Sequence, residues 1–168
     1  MEQFLSPEER KYIGELLGDP QEILFYTTKN ELGWLSNFYK SVQVVDDIVY
    51  WTNEHYYQSQ KTTVPHLKAW IASAPTAYAA MMAGRQCIRK IQLVENWDEI
   101  KYDIMLKGLR AKFSQNELLK AKLLQTGKAV IHENSPTDMI WGIKGKDMLG
   151  KLIMQVREEL QQGDKTYG

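Results

Sequence analysis

The sequence predicts an α+β domain, mostly helical, with a few short strands. Three observations carry this expectation. Helix start and stop signals recur along most of the 168 residues. Segments with the β-branched and aromatic character of strands are few and short. No internal repeat, low-complexity tract or linker divides the chain, and its length suffices for one substantial core.

Ser6-Pro7-Glu8-Glu9 opens a helix over 6–17: serine caps, proline takes the first turn, and Glu9 sits three residues after the cap. Gly18-Asp19-Pro20 ends it. Residues 23–26, 42–45 and 48–51 read as strands, with Asp46-Asp47 as the turn between the last two. Residues 33–39 form a loop carrying Trp34 and Phe38. Thr52 or Asn53 caps a helix over 54–62, and a short helix follows over 65–72. Ser73-Ala74-Pro75 starts another, which carries Tyr78, Met81 and Met82 and stops near Gly84. Asn96-Trp97-Asp98-Glu99 is a cap with its reciprocal acid, and Ile100, Ile104, Leu109 and Phe113 mark the amphipathic helix behind it. Residues 116–125 form a further helix closed by Gly127, 129–132 a strand, and 148–160 the last helix. The organisation expected is an N-terminal helical extension over 1–22, a domain over 23–160 and a tail over 161–168.

Composition narrows the function classes. The hydrophobic fraction is 43% and the charged fraction 25%, as in ordinary globular proteins. One cysteine, Cys87, supports neither a disulfide nor a cysteine-based metal site within the chain. With an acidic first ten residues and no apolar run of membrane length, this points to the cytoplasm, with no membrane partner. A net charge of zero argues against affinity for bulk nucleic acid. The charge is unevenly spread: residues 1–60 hold four Lys/Arg against ten Asp/Glu, and residues 101–128 hold seven against two. The basic stretch suits a phosphate-bearing ligand, although a solvated helix face is the commoner use of such a run.

Two clusters carry chemistry. In Glu54-His55-Tyr56-Tyr57-Gln58-Ser59-Gln60-Lys61, the residues Glu54, Gln58 and Lys61 fall on one helix face at i, i+4 and i+7. A carboxyl, an amide and an amine would then meet one ligand; a solvent-facing stripe with a weak ion pair is the commoner outcome of that spacing. His55, beside tyrosine, reads as a structural residue. The second cluster is Glu133-Asn134-Ser135-Pro136-Thr137-Asp138 with Trp141-Gly142, on a loop after a short strand. Asn, Ser and Asp are also ordinary turn and cap residues. No spacing of His, Cys, Asp or Glu suits a metal, and Gly142, Gly145 and Gly150 match no nucleotide loop, so no metal and no cofactor are expected.

In order along the chain, these segments resemble the YbiA-like N-glycosidases of the NADAR family. Leu35-Ser36-Asn37-Phe38 resembles the family's LSNF loop, and Glu54 through Lys61 its EHxYQxxK helix. Trp97, Lys101, Met105 and Ala111-Lys112-Phe113 fit WxxxKxxxM and AKF. Leu123-Leu124-Gln125-Thr126-Gly127 fits LLxTG, and Glu133 through Gly142 fits ExSxxDxxWG. Leu149-Gly150 with Met154 and Arg157 closes the series, which spans about residues 23–160. The chain departs from the pattern before the Leu-Gly pair, where the glycine-rich segment is short and Asp147 stands in place of asparagine.

The resemblance implies hydrolysis of an N-glycosidic bond between ribose and an exocyclic amine. The implied substrates are phosphoribosylamino-pyrimidine intermediates of riboflavin synthesis or, alternatively, ADP-ribosylated guanine in nucleic acid. A non-catalytic module that senses NAD or ADP-ribose is a third alternative. For the catalytic readings Glu54 is the expected acid/base, Asp138 the carboxylate that orients water or sugar hydroxyls, and Lys61 the nucleophile or phosphate clamp. Trp97 or Trp141 would stack on the base, and Asn37 and Gln58 would bind sugar or base edges. Phe38, Lys101, Gly142 and Asp147 complete the expected substrate-binding set.

Overall fold

The computed structural model describes residues 21–89 and 93–167, so the helix expected over 6–17 lies outside the described residues. In chain order the elements are β1 (Glu22–Phe25), a 3-10 turn (Gly33–Leu35), β2 (Gln43–Val45), β3 (Ile48–Tyr50), α1 (Asn53–Ser59), α2 (Pro65–Ala72), α3 (Ala77–Arg89), α4 (Trp97–Gln115), α5 (Glu117–Gln125), β4 (Val130–Glu133) and α6 (Met148–Tyr167). The expected mostly helical α+β class is what is found. The described residues fall into two compact units, a central one within Thr27–Lys112 and a terminal one made of residues 21–26 and 113–167.

In the central unit β2 and β3 form an antiparallel hairpin, with Val44 opposite Val49 and Val45 opposite Ile48. Asp46 and Asp47 both adopt positive φ, 51° and 64°. Two such residues make the turn whose twist matches that of paired strands, and Asp is among the few residue types that tolerate it. Alternation then buries Gln43, Val45 and Tyr50 and exposes Val44 and Val49. Thr52 caps α1 by accepting from the His55 amide at 3.1 Å, and Pro65 takes the first turn of α2. The buried set includes Leu35, Tyr50, Tyr56, Met105 and Leu109, with Tyr50 edge-on to Tyr56 at 5.5 Å. Ile71, Ala80, Ala83 and Cys87 form a cluster between α2 and α3.

Two local expectations fail here. α3 does not stop near Gly84 but runs on to Arg89. A Cβ at Gly84 would collide with the Gln58 side chain, so this glycine makes room for a neighbour and does not end a helix. At the start of α4, Asn96 sits at φ 59°, in the left-handed region and not in the extended backbone of a capping-box residue. Its carbonyl accepts from the Glu99 and Ile100 amides and so starts the helix.

In the terminal unit β1 and β4 pair in parallel, with Ile23 opposite Ile131 and Phe25 opposite Glu133. Ile23, Phe25 and Ile131 are buried, while Leu24 and Val130 face outward. The Asn116 side chain caps α5 by accepting from the Leu119 amide at 3.1 Å, and Gly127 at φ 61° turns the chain behind it. Phe113, Leu119, Leu123, Leu149, Ile153 and Val156 are buried in this unit. Gly150 on α6 lies so close to the Ile131 carbonyl that a Cβ would overlap it. α6 extends past residue 160, through the segment expected to be a tail, to Tyr167. No helix among the described residues is long and apolar enough to cross a membrane.

Candidate active site

α1 is polar in sequence, yet all seven of its residues are buried. Glu54 is 7% exposed, Gln58 5% and Lys61, two residues beyond the helix, 7%. The solvent-facing stripe that this spacing more often produces is therefore not what forms. Burying charged and polar groups is costly unless they are hydrogen-bonded, and most of the polar groups around α1 are. Gln58 Nε2 donates to Glu54 Oε1 at 2.8 Å, as the i, i+4 spacing predicts.

The 33–39 loop anchors the start of the helix. The Asn37 carbonyl accepts from the Glu54 amide at 3.0 Å. Asn37 Oδ1 accepts from Asn53 Nδ2 at 2.8 Å, and Asn53 Oδ1 accepts from Gln43 Nε2 at 3.1 Å. The Gln43 amide also reaches the Gly108 carbonyl at 3.2 Å, which ties hairpin, loop, α1 and α4 into one polar network. Two helical glycines make the network possible. A Cβ at Gly84 on α3 would strike Gln58, and one at Gly108 on α4 would strike Asn53 and Tyr56. Each costs about 1 kcal/mol of helix propensity relative to alanine.

The Lys61 amine lies 5.7 Å from the Tyr57 ring centroid and 5.8 Å from that of Trp97, and the two rings are 5.2 Å apart. Burial pushes its pKa below the ordinary value; Glu54 opposes that shift, Arg85 adds to it and Cys87 opposes it. Lowered basicity beside two aromatic faces favours the neutral form that an attacking lysine needs. Lys101 is also buried, with its amine 3.0 Å from the exposed Asp98 carboxylate and 5.4 Å from the Tyr102 ring. His55 has both ring nitrogens engaged, Nδ1 with Thr52 Oγ1 at 2.7 Å and Nε2 with the Ala74 carbonyl at 2.9 Å. That is the structural role expected of it. Phe38 is half-exposed and lines a cavity of about 420 Å³ together with Lys40, Trp51, Thr52 and His55.

The central unit thus gathers Asn37, Glu54, Gln58, Lys61, Trp97 and Lys101, while Asp138, Trp141, Gly142 and Asp147 belong to the terminal unit. There Asp138 Oδ1 accepts from the Ile140 and Trp141 amides at 2.9 and 2.8 Å, and Ser135 Oγ accepts from the Asp138 amide at 3.0 Å. These are turn-forming contacts of the kind Asp and Ser commonly make. Gly142 has no room for a side chain, since a Cβ would overlap the Asp138 carbonyl. Asp147 sits at φ 57° with Oδ2 2.6 Å from His132 Nδ1. Asparagine and aspartate are the side chains that best tolerate that backbone, which accounts for either residue at this position. Among the described residues no group of three or more His, Cys, Asp or Glu could hold a metal ion.

Two polar residues of the site escaped the reading of the sequence. Gln43 gave no signal beyond lying in a strand. Lys112, 1% exposed, stands out in the sequence only as part of Ala111-Lys112-Phe113.

A buried acid and amide on one short helix, an amine two residues beyond it and two aromatic rings beside that amine make up the candidate site. The chain matches the NADAR domain over residues 24–161. It is 38% identical over 142 residues to N-glycosidase YbiA of Escherichia coli, covering 82% of this chain and 88% of that protein. It is 37% identical over 150 residues to an N-glycosidase of Nostoc punctiforme, covering 83% and 92%. A riboflavin biosynthesis protein of Vibrio vulnificus is 34% identical over 146 residues, which are 84% of this chain and 39% of that longer protein. The solution structure of Escherichia coli YbiA superposes with a TM-score of 0.79 at 36% identity, covering 86% of this chain and 88% of that one. The protein is a glycosidase acting on N-glycosyl compounds. The chain belongs to the NADAR family.

Proposed function

We propose that this enzyme hydrolyses the bond between a ribose anomeric carbon and an exocyclic amine, and that its substrate is a phosphoribosylamino-pyrimidine of riboflavin synthesis. The observation that carries the reading is the buried row of Glu54, Gln58 and Lys61 on and just beyond α1. The relative named for riboflavin biosynthesis supports the choice of substrate.

Two routes use this row. In the first, the Glu54 carboxyl protonates the departing nitrogen as its bond to the sugar breaks. Water adds to the oxocarbenium-like carbon and gives up its proton to the Glu54 carboxylate left by that transfer. In the second, the lone pair of the exocyclic nitrogen opens the ribose ring to an imine. The neutral Lys61 amine adds to the imine carbon, and Glu54 delivers a proton to the nitrogen that leaves. Water then hydrolyses the lysine imine and returns the free sugar and the amine. The depressed basicity of Lys61 supports the second route.

The deciding experiment is release of reducing sugar from the phosphoribosylamino-pyrimidine, with Glu54→Gln as control. Release that disappears in the variant is expected. If the wild-type chain leaves this substrate intact but removes ADP-ribose from modified guanine in an oligonucleotide, the choice of substrate is wrong and the reaction class stands. Tight binding of ADP-ribose with no sugar released from either substrate would make the chain a sensor.

A further inference from the structure

Lys112 has no part in either route, yet it is almost wholly enclosed, at 1% exposure. Its Nζ donates to the Ser36 carbonyl at 2.8 Å and lies 5.9 Å from the Tyr39 ring centroid. Holding an ammonium in such a place is expensive, and an apolar side chain of similar length would be the cheaper filling. The contact is also local in its consequences. Ser36 immediately precedes Asn37, whose carbonyl accepts from the Glu54 amide at 3.0 Å and whose Oδ1 accepts from Asn53 at 2.8 Å. Ser36 Oγ accepts from the Phe38 amide at 3.1 Å, which stiffens the same loop. Lysine, loop and the first turn of α1 are therefore joined by consecutive hydrogen bonds that end at the residue proposed as the acid.

We propose that Lys112 is a positioning residue: it holds the Ser36 carbonyl and thereby fixes Asn37 and the turn of α1 that carries Glu54. The inference rests on the reading of Glu54 given above. Lysine suits the task because its compact charge on a long stem reaches the Ser36 carbonyl from α4. Burial also lowers its pKa to about 7, a penalty that the fold carries while keeping the Ser36 contact.

The test is Lys112→Met in the full chain, measured beside Glu54→Gln for melting temperature, kcat and KM. The Met chain is expected to melt at or above the wild-type temperature while kcat falls at least tenfold and KM changes by less than threefold. A kcat within twofold of wild type overturns the proposal. Should the Met chain not fold, the crystal structure and kcat of Lys112→Arg decide. The Ser36 contact and kcat must survive or disappear together, and a split between them overturns the proposal. If neither chain folds, Lys112 is a folding determinant and the positioning role is rejected. Full activity of Glu54→Gln would instead remove the acid/base reading, and a kcat loss confined to Lys112→Met would then mark Lys112 as acting on some group other than Glu54.

Discussion

Gln58 donates from Nε2 to Glu54 Oε1 at 2.8 Å, and the space its side chain occupies exists because residue 84 is a glycine. The amide fixes one carboxyl oxygen of Glu54. A methyl group at position 84 would push Gln58 off that oxygen. Gly84→Ala should therefore separate stability from activity. Alanine is the better helix former by about 1 kcal/mol, so the fold offsets part of the clash. Loss of a hydrogen bond to a charged group costs roughly 1.5–3 kcal/mol, which corresponds to about a 10- to 100-fold fall in kcat. Circular dichroism melting and steady-state kinetics on the same preparation check this. A Gly84→Ala enzyme with full kcat would mean that the Gln58 contact is dispensable.

Lys61 lies between two aromatic rings with its basicity lowered mainly by burial, so a larger share of it is neutral near physiological pH than of an exposed lysine. Borohydride added during turnover should reduce a lysine–sugar imine to a stable secondary amine. Peptide mass spectrometry should then find the ribosyl adduct on Lys61, and inactivation should require both substrate and reductant. Inactivation without an adduct on that lysine, or no inactivation at all, would leave Lys61 as a phosphate-binding residue and return the chemistry to direct displacement by water.

Lys112 carries a pH signature of its own. Its folded pKa of about 7 lies below the ordinary 10.5, so between these values the unfolded chain binds the proton that the folded chain has lost. Stability therefore rises with pH through this window, and below about pH 7 the full penalty of the buried charge is present. The depressed Lys61 acts with the same sign. Urea unfolding at pH 6.5 and at pH 9.5 should show a gain of a few kcal/mol at the higher pH, as an order of magnitude. In Lys112→Met most of that gain should vanish. An unchanged pH dependence in the variant would show that the Lys112 amine is solvated in solution.

Local chemistry was legible from the sequence and tertiary burial was not. The Asp46-Asp47 turn, the Thr52 cap and Pro65 at a helix start are decided by residues next to one another, and each is legible in the sequence. The row of Glu54, Gln58 and Lys61 was legible as a face, because spacing alone fixes it. Its burial was not, because it depends on Gly84 and Gly108, which lie on two helices far along the chain. Gly84 was misread as a helix end for the same reason: a glycine that admits a neighbour looks like one that stops a helix. Lys112 was the least visible. On an amphipathic helix a lysine reads as solvated, and the carbonyl that holds it is 76 residues away.

Asp138 presents a choice between two roles that one substitution can separate. Its Oδ1 accepts from the Ile140 and Trp141 amides, and an asparagine carbonyl oxygen can do the same. If the carboxylate orients water or sugar hydroxyls through its charge, Asp138→Asn should keep the turn and the melting temperature while kcat falls roughly 100-fold. Asp138→Ala removes the turn contacts as well and should lose about 1 kcal/mol of stability, the usual worth of such a cap, in addition to the same kcat. Denaturant midpoints and kcat for both variants give the answer. An Asn variant with wild-type kcat would confine Asp138 to holding the loop and leave Glu54 as the only acid/base of the reaction.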